Sequence, residues 1–376
     1  MPTRRQWLQG MVLLGTAPLH AWARPASAPR LAAAWAVGAE AFVGVLQLPD
    51  RADQALEILQ SHAVPTRAHG MTPMADGSVL FASRRPGDWL LRLRPDQSAQ
   101  WHWIEDDRAF NGHVIASHDQ RHIYTTETDL ADSQGLIGVR DAHTLEKIDE
   151  WRTGGMDPHQ LLLDADGSLV VANGGIPTQP ETGRRKLRLA HMDSSIARLR
   201  PDEQGRIAGQ WKLTDPRLSL RHLAWGGPVA WNPQRRWLGI ALQAEHTDLE
   251  QRRQAPVLAL FDGQHLQASS LPEGAIWEGY GGDISSDGSR FAVSCPRANT
   301  LSWWLPPSTP DGSGHCVATH HQQGVYSLSN TSVAPSQHSP HRGLWSGGEQ
   351  QVQHWPKPRT VAQVTGMVLD NHWVPL

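Results

Sequence analysis

Ala75-Asp76-Gly77-Ser78-Val79-Leu80-Phe81-Ala82-Ser83 opens with residues that tolerate a tight reversal and continues into a short apolar run. It reads as a turn followed by a strand. The same phrase returns as His118-Asp119-Gln120-Arg121-His122-Ile123-Tyr124-Thr125-Thr126 and as Ala165-Asp166-Gly167-Ser168-Leu169-Val170-Val171-Ala172-Asn173. It comes again in Asn232-Pro233-Gln234-Arg235-Arg236-Trp237-Leu238-Gly239-Ile240-Ala241 and in Ser286-Asp287-Gly288-Ser289-Arg290-Phe291-Ala292-Val293-Ser294, with a degraded copy around Ser336 to Ser346. The first three Asp anchors are 43 and 47 residues apart. Periods of about 40–50 residues, each holding four short strands, are the mark of a β-propeller. Six copies and the N-terminal stretch Leu31 to Leu48 predict an all-β, seven-bladed ring. Either Gly366-Met367-Val368-Leu369 or the N-terminal strand is expected to complete the shared blade and close it.

Composition agrees with that reading. The 34 Gly and 27 Pro punctuate the chain, and 17 Trp against 5 Phe and 3 Tyr suit large side chains packed between sheets. A two-domain α/β enzyme fails for want of helices, because only Asp50 to Ser61 and Thr247 to Gln254 read as helical. The stretch from Asn173 to Leu220 is longer than one blade's return needs, so an insertion is expected around 176–215. It carries the basic run Gly183-Arg184-Arg185-Lys186-Leu187-Arg188, a solvated loop or a lid that binds anions or a partner.

With 34 Lys+Arg against 37 Asp+Glu the formal charge is −3, which excludes a nucleic-acid clamp built on clustered cations. Thr3-Arg4-Arg5-Gln6-Trp7-Leu8, a short apolar run and Ala21-Trp22-Ala23 read as a twin-arginine signal peptide over 1–23, leaving 24–376 as a single propeller domain. No other run approaches the ~20 apolar residues that a membrane-spanning helix needs, so a periplasmic protein without a membrane span is expected. Cys295 and Cys316 fall on non-adjacent strands of a predicted three-strand series, beyond the usual reach of a disulfide.

Four consecutive units carry a histidine just upstream of the turn: Arg67-Ala68-His69-Gly70, Asn111-Gly112-His113, Asp157-Pro158-His159 and Leu220-Arg221-His222-Leu223. Equivalent places in successive blades lie on a circle, so these imidazoles should converge at the mouth of the central channel. Imidazole clusters suit iron, copper or zinc, and His69, His113, His159 and His222 are the candidate ligands. A histidine that only hydrogen-bonds to the neighbouring blade is the alternative for each one singly. Arg67 and Arg221 beside the histidines argue instead for a carboxylate or phosphate ligand, or for ion pairs with Glu127 and Asp129. The polar stops after the next strand, among them Glu127, Asp129, Asn173, Glu245 and Arg297, are expected near one rim. Together with Arg184 they complete the candidate ligand-binding set. Glu127, Asp129 and Glu245 also offer a general base for a metal-bound water. Gly-rich phosphate loops, Gly-x-Ser-x-Gly, His-Glu-x-x-His and Cys-x-x-Cys-His are absent from the sequence.

These segments, with Thr126-Glu127-Thr128-Asp129, Gly154-Gly155-Met156-Asp157-Pro158-His159-Gln160, Val171-Ala172-Asn173-Gly174-Gly175-Ile176 and Gly183-Arg184-Arg185-Lys186-Leu187, together resemble the exported bacterial family called domain of unknown function 1513. The resemblance runs in order along nearly all of the chain after the signal. It implies a seven-bladed propeller without an established activity and, through genes that neighbour those of imelysin-type iron-uptake proteins, a partner in periplasmic iron acquisition. Gln160 stands where the family usually has Glu, Arg188 where Asn is usual, and Ala190-His191 replace a more acidic pair, so a rim carboxylate is lost here. The expected function is a non-catalytic accessory that binds a metal ion or small anion, or docks a partner, in a funnel of His, Arg and Glu. The alternative is a lactonase-like hydrolase or quinoprotein-like oxidoreductase using the same funnel.

Overall fold

The computed structural model describes residues 28–177, 189–331 and 343–376. Their strands form seven four-stranded antiparallel sheets, the blades of a seven-bladed β-propeller. Six blades follow the chain from the inside outward. Their innermost strands are Ala68–Pro73, Arg108–Ala116, Pro158–Leu163, Leu218–Val229, Asp283–Ser286 and Leu328–Asn330. The seventh blade is composite. The C-terminal strand Val368–Pro375 lies innermost, and Arg30–Val37, Glu40–Gln47 and Glu57–Val64 follow it outward. The ring therefore closes with an antiparallel pair between the two ends of the chain, Leu31 opposite Pro375 and Ala33 opposite Trp373.

The recurring turn joins the first strand of a blade to its second. Asp76, Asp166 and Asp287 each accept through Oδ1 from the backbone N–H two residues on, at 2.9 Å, and from the hydroxyl of the serine there. Gly77, Gly167 and Gly288 supply the positive φ between them. In the second blade Gln120 takes that place at φ 59°.

The apolar core lies between blades. Val170, Leu238, Ile240 and Leu242 form one such layer, and Trp89, Trp303, Trp304 and Trp355 are wholly enclosed in others. A buried indole needs an acceptor. Trp89 donates to Thr66 at 2.8 Å, Trp304 to Ser302 at 2.9 Å and Trp355 to Ser346 at 2.8 Å.

The helical reading of Asp50 to Ser61 is corrected. From Glu57 this stretch is the outermost strand of the closing blade, because hydrogen bonding to Glu40–Gln47 outweighs local helix preference. Leu249–Arg253 is a short helix with Asp248 as its cap. Within 176–215, Ser195–Arg200 and Arg206–Trp211 are the two outer strands of the third blade. The twin-arginine segment and the basic run Gly183 to Arg188 lie outside the described residues. Cys295 and Cys316 are free thiols on the second and fourth strands of the fifth blade, with Thr300–Leu305 between them. No helix among the described residues is long and apolar enough to cross a membrane.

Candidate metal centre

Each of the four predicted histidines stands where its inner strand loses register with the strand beside it. The breaks lie between Ala68 and Met71, Phe110 and Val114, Pro158 and Leu161, and Leu220 and Leu223. Such bulges re-aim a side chain out of the pleat. Here they turn four imidazoles into one buried cluster, in which one ring nitrogen from each of His69, His113, His159 and His222 lies within 4.8 Å of all the others. The approach is close enough to require glycine. A Cβ on Gly112, whose φ is +101°, would stand 2.9 Å from Cδ2 of His69.

A fifth histidine joins them. The closing strand breaks register between Leu369 and Trp373, and His372 in that gap places its Nε2 3.0 Å from Nε2 of His222. His159 Nε2 lies 2.9 Å from His222 Nε2 and 3.3 Å from His69 Nε2. Asp283, at the start of the fifth blade's inner strand, approaches His372 Nδ1 at 3.3 Å and accepts from the Leu328 N–H at 2.8 Å.

Protons cannot satisfy this arrangement. A ring nitrogen either donates one N–H or accepts through one in-plane lone pair, yet Nε2 of His159 and of His222 each faces two other Nε2 atoms. Nδ1 of His69, His159 and His222 and Nε2 of His113 are buried without a hydrogen-bond partner among the described residues. Ligand nitrogens about 2.0–2.1 Å from one ion are themselves about 2.9 Å apart at right angles and about 3.4 Å apart in a tetrahedron. The separations of 2.9, 3.0 and 3.3 Å fall in that interval. Burial, and after it the repulsion of neighbouring imidazoles, holds His69, His113, His159 and His222 well below the ordinary histidine value. They are thereby neutral, the form that ligates metals.

A cavity of about 40 Å³ adjoins the cluster, lined by His69, His159 and His222 together with Arg84, Arg85, Arg221, Gln243, Tyr280, Tyr326 and Asn371. Asp157, wholly buried, bridges two of the guanidiniums through a contact to Arg85 Nη1 and one of 2.8 Å to Arg221 Nη1. Tyr280 and Tyr326 share a hydrogen bond of 2.6 Å between their hydroxyls. Burial, and then Tyr280, raises the Tyr326 phenol well above its usual value, so it stays protonated.

The remaining candidates divide. Arg67 holds Asp370 in a two-pronged bond, 2.7 Å at each prong, and Arg221 pairs with Asp157. Neither guanidinium meets Glu127 or Asp129, the partners considered from sequence. Glu127 lies inside the second blade, 2.6 Å from Arg140 and 2.6 Å from the Thr125 hydroxyl, while Asp129 faces Arg108 at 3.4 Å. The Asn173 amide donates to the Thr153 carbonyl and the Ser195 hydroxyl, each at 3.2 Å. These three do not join the cluster, because each is engaged with partners away from the axis. Glu245 acts on Arg221 electrostatically. Arg297 stacks on the Tyr280 ring, 4.0 Å from its centroid, one layer behind the cavity. Arg184 lies outside the described residues.

Sequence reasoning missed His372, Asp283, Asp157, Arg84, Arg85 and the tyrosine pair. Two signals pointed to some of them. Asp370-Asn371-His372 is the seventh copy of the histidine station, and Ser83-Arg84-Arg85 is the first copy of the polar stop.

Fold and site together define a seven-bladed propeller with a histidine cluster at its axis. Residues 62–376 match the family described as protein of unknown function (DUF1513), and the chain belongs to that family. A comparison with curated protein sequences finds no match. Among solved structures, the chain is similar to a functionally unknown protein from Desulfotomaculum acetoxidans at a TM-score of 0.58 and 11% identity, covering 93% of this chain and 99% of that one. A putative 6-phosphogluconolactonase from Bacteroides uniformis gives a TM-score of 0.55 at 11% identity over the same shares. The periplasmic gluconolactonase of Pseudomonas aeruginosa gives 0.50 at 13% identity, over 76% of this chain and 78% of that one. At such identities the likeness is one of fold.

Proposed function

We propose that the protein is a periplasmic accessory that holds one transition-metal ion, iron, copper or zinc, on the propeller axis, and that it serves iron acquisition beside an imelysin-type partner. The observation that carries the metal reading is the convergence of one ring nitrogen from each of His69, His113, His159 and His222 within 4.8 Å of one another, with Nε2 contacts of 3.3 Å between His69 and His159 and 2.9 Å between His159 and His222. An ion accepts four lone pairs at once, whereas a shared proton serves only two. The twin-arginine motif and the gene neighbourhood implied by the family support the compartment and the partner.

A hydrolase reading, in which a metal-bound water attacks a lactone, has the lactonase-like fold in its favour. It needs a free carboxylate as general base. The candidates Glu127 and Asp129 are paired with Arg140 and Arg108, the third, Glu245, is drawn to Arg221 electrostatically, and Asp157 is held by Arg85 and Arg221. The accessory reading is therefore the better supported.

Elemental analysis of the purified protein, then metal titration of the wild type and of the double variant His113→Ala/His159→Ala, is the test. Bound metal that the variant loses is the expected result. Absence of bound metal, with no affinity for iron, copper or zinc, ends the reading. Turnover of lactones, or of alcohols with added quinone, would move the protein to the enzyme class.

A further inference from the structure

The cavity beside the histidines is short of negative charge. Arg84, Arg85 and Arg221 line it, and Asp157 is the carboxylate that touches two of them. Glu245 acts on Arg221 from further off, and Asp283 is engaged with His372. Arg67 and Asp370 neutralise each other and drop out of the count. Three guanidiniums and a divalent ion thus bring five positive charges against three carboxylates. Burying an uncompensated charge is costly, and a binding partner of opposite sign relieves that cost.

Several donors are also unused. Arg221 is 1% exposed and its Nη1 faces Asp157 at 2.8 Å, yet its Nε and Nη2 have no hydrogen-bond acceptor among the described residues. The side chain of Arg84 makes no ion pair or hydrogen bond among the described residues. Planar forks of this kind match carboxylate oxygens two at a time. About 40 Å³ holds a few water-sized groups and no sugar ring.

Resting on the metal reading, the geometry points to a second ligand at the same centre: a small planar oxyanion, a short carboxylate or bicarbonate, with one oxygen on the metal and the rest of its charge on Arg221 and Arg84. Metal and anion then bind cooperatively, each tightening the other by the same factor.

Zinc titration calorimetry on metal-stripped protein tests this, in buffer free of carboxylate and carbonate and again with millimolar acetate or millimolar bicarbonate. The expected result is zinc affinity raised about tenfold or more by one of the two anions, a coupling of the size linked sites show. The anion that acts distinguishes carboxylate from carbonate. A shift in the visible spectrum of the cobalt-loaded protein on adding that anion is expected as well. Arg84→Gln, a change at a partly exposed side chain, should remove most of the tightening while zinc still binds. Zinc affinity indifferent to both anions overturns this inference and leaves the metal centre standing. Failure to bind zinc with or without anion overturns both.

Discussion

His222 and His372 stand 150 residues apart in the chain, yet their Nε2 atoms lie 3.0 Å from each other. The first belongs to the fourth blade and the second to the strand that closes the ring. An ion shared by them would tie the C-terminal strand to the opposite side of the channel, making metal binding a contribution to closure. Ligands that bind only the folded state stabilise it by mass action, about 2.7 kcal/mol at a hundredfold excess over Kd. Zinc should therefore raise the melting temperature of metal-stripped wild type by several degrees. In His372→Ala that rise should shrink to a small fraction, as read by calorimetry with and without metal. An equal rise in both proteins would remove His372 from the ligand set.

Asp157 is wholly buried between Arg85 and Arg221, and Arg221 is itself 1% exposed. Burial is the main influence on Arg221 and lowers its pKa, with the Asp157 charge opposing that effect. Removing one member of such a group leaves charge buried without compensation, at a cost of about 3–5 kcal/mol. Asp157→Asn should lower the denaturant midpoint accordingly. Asp129→Asn, at a pair nearer solvent, should cost well under half as much.

The Asp-Gly turns made the blades legible, because a turn's chemistry is local and repeats wherever the backbone repeats. The axial histidines were legible for the same reason in four units. His372 escaped because the seventh inner strand comes from the far end of the chain and lies against Arg30–Val37, so its unit has no contiguous copy of the motif. Glu127 and Asn173 show the converse. They sit at the right station, but successive residues of a strand point to opposite faces, and a one-residue phase decides between channel and sheet interior. On the adjoining inner strands bulges reset that phase for the histidines, and a bulge leaves no mark in the sequence beyond an occasional glycine.

Glu150 gives a pH dependence with a definite sign. Arg108 reaches it at 2.8 and 3.1 Å and Lys147 at 3.1 Å. The Arg108 hydrogen bond lowers its pKa from 4.5 to about 2 against the opposing effect of burial. The unfolded chain takes up this proton first as pH falls. Stability from the carboxylate is thus complete above about 4.5 and lost as pH falls through about 2. The side chain is a third exposed, so solvent screens much of the effect. Glu150→Gln should flatten the wild-type loss of stability in that interval, measured by urea unfolding at successive pH values. Parallel curves for the two proteins would contradict it.

The two thiols should differ in reactivity. Cys295 is fully enclosed, and burial pushes its thiol far up; Cys316 is partly exposed and raised less. The attacking species is the thiolate, and access governs it as strongly as pKa does. A disulfide reagent on the native protein should label Cys316 slowly and leave Cys295 untouched until denaturant is added. Peptide mapping reads the outcome, and equal labelling of both in the native state would count against the packing of the fifth blade.

Gly112 connects backbone conformation to the metal centre. Its φ of +101° lies where only glycine is at ease, and a methyl group there would meet Cδ2, Cβ and Cγ of His69 at 2.9–3.2 Å. The side chain it strikes is a ring held on several sides, since His69 packs against His113 and His372 with centroids 4.7 and 4.6 Å away. Relief must come from rotating the imidazole, which swings Nε2 away from its place 3.3 Å from His159. Gly112→Ala should therefore weaken zinc binding by tenfold or more, with an added stability loss of about 1–3 kcal/mol from the strained backbone. Gly167→Ala shares the positive φ, at +81°, but its added methyl meets nothing within 4 Å. It should show the backbone cost alone and bind zinc as wild type does. Calorimetric titration of the two variants side by side separates a defect at the centre from one of folding. Equal zinc affinities would mean that the position of His69 is immaterial to the centre.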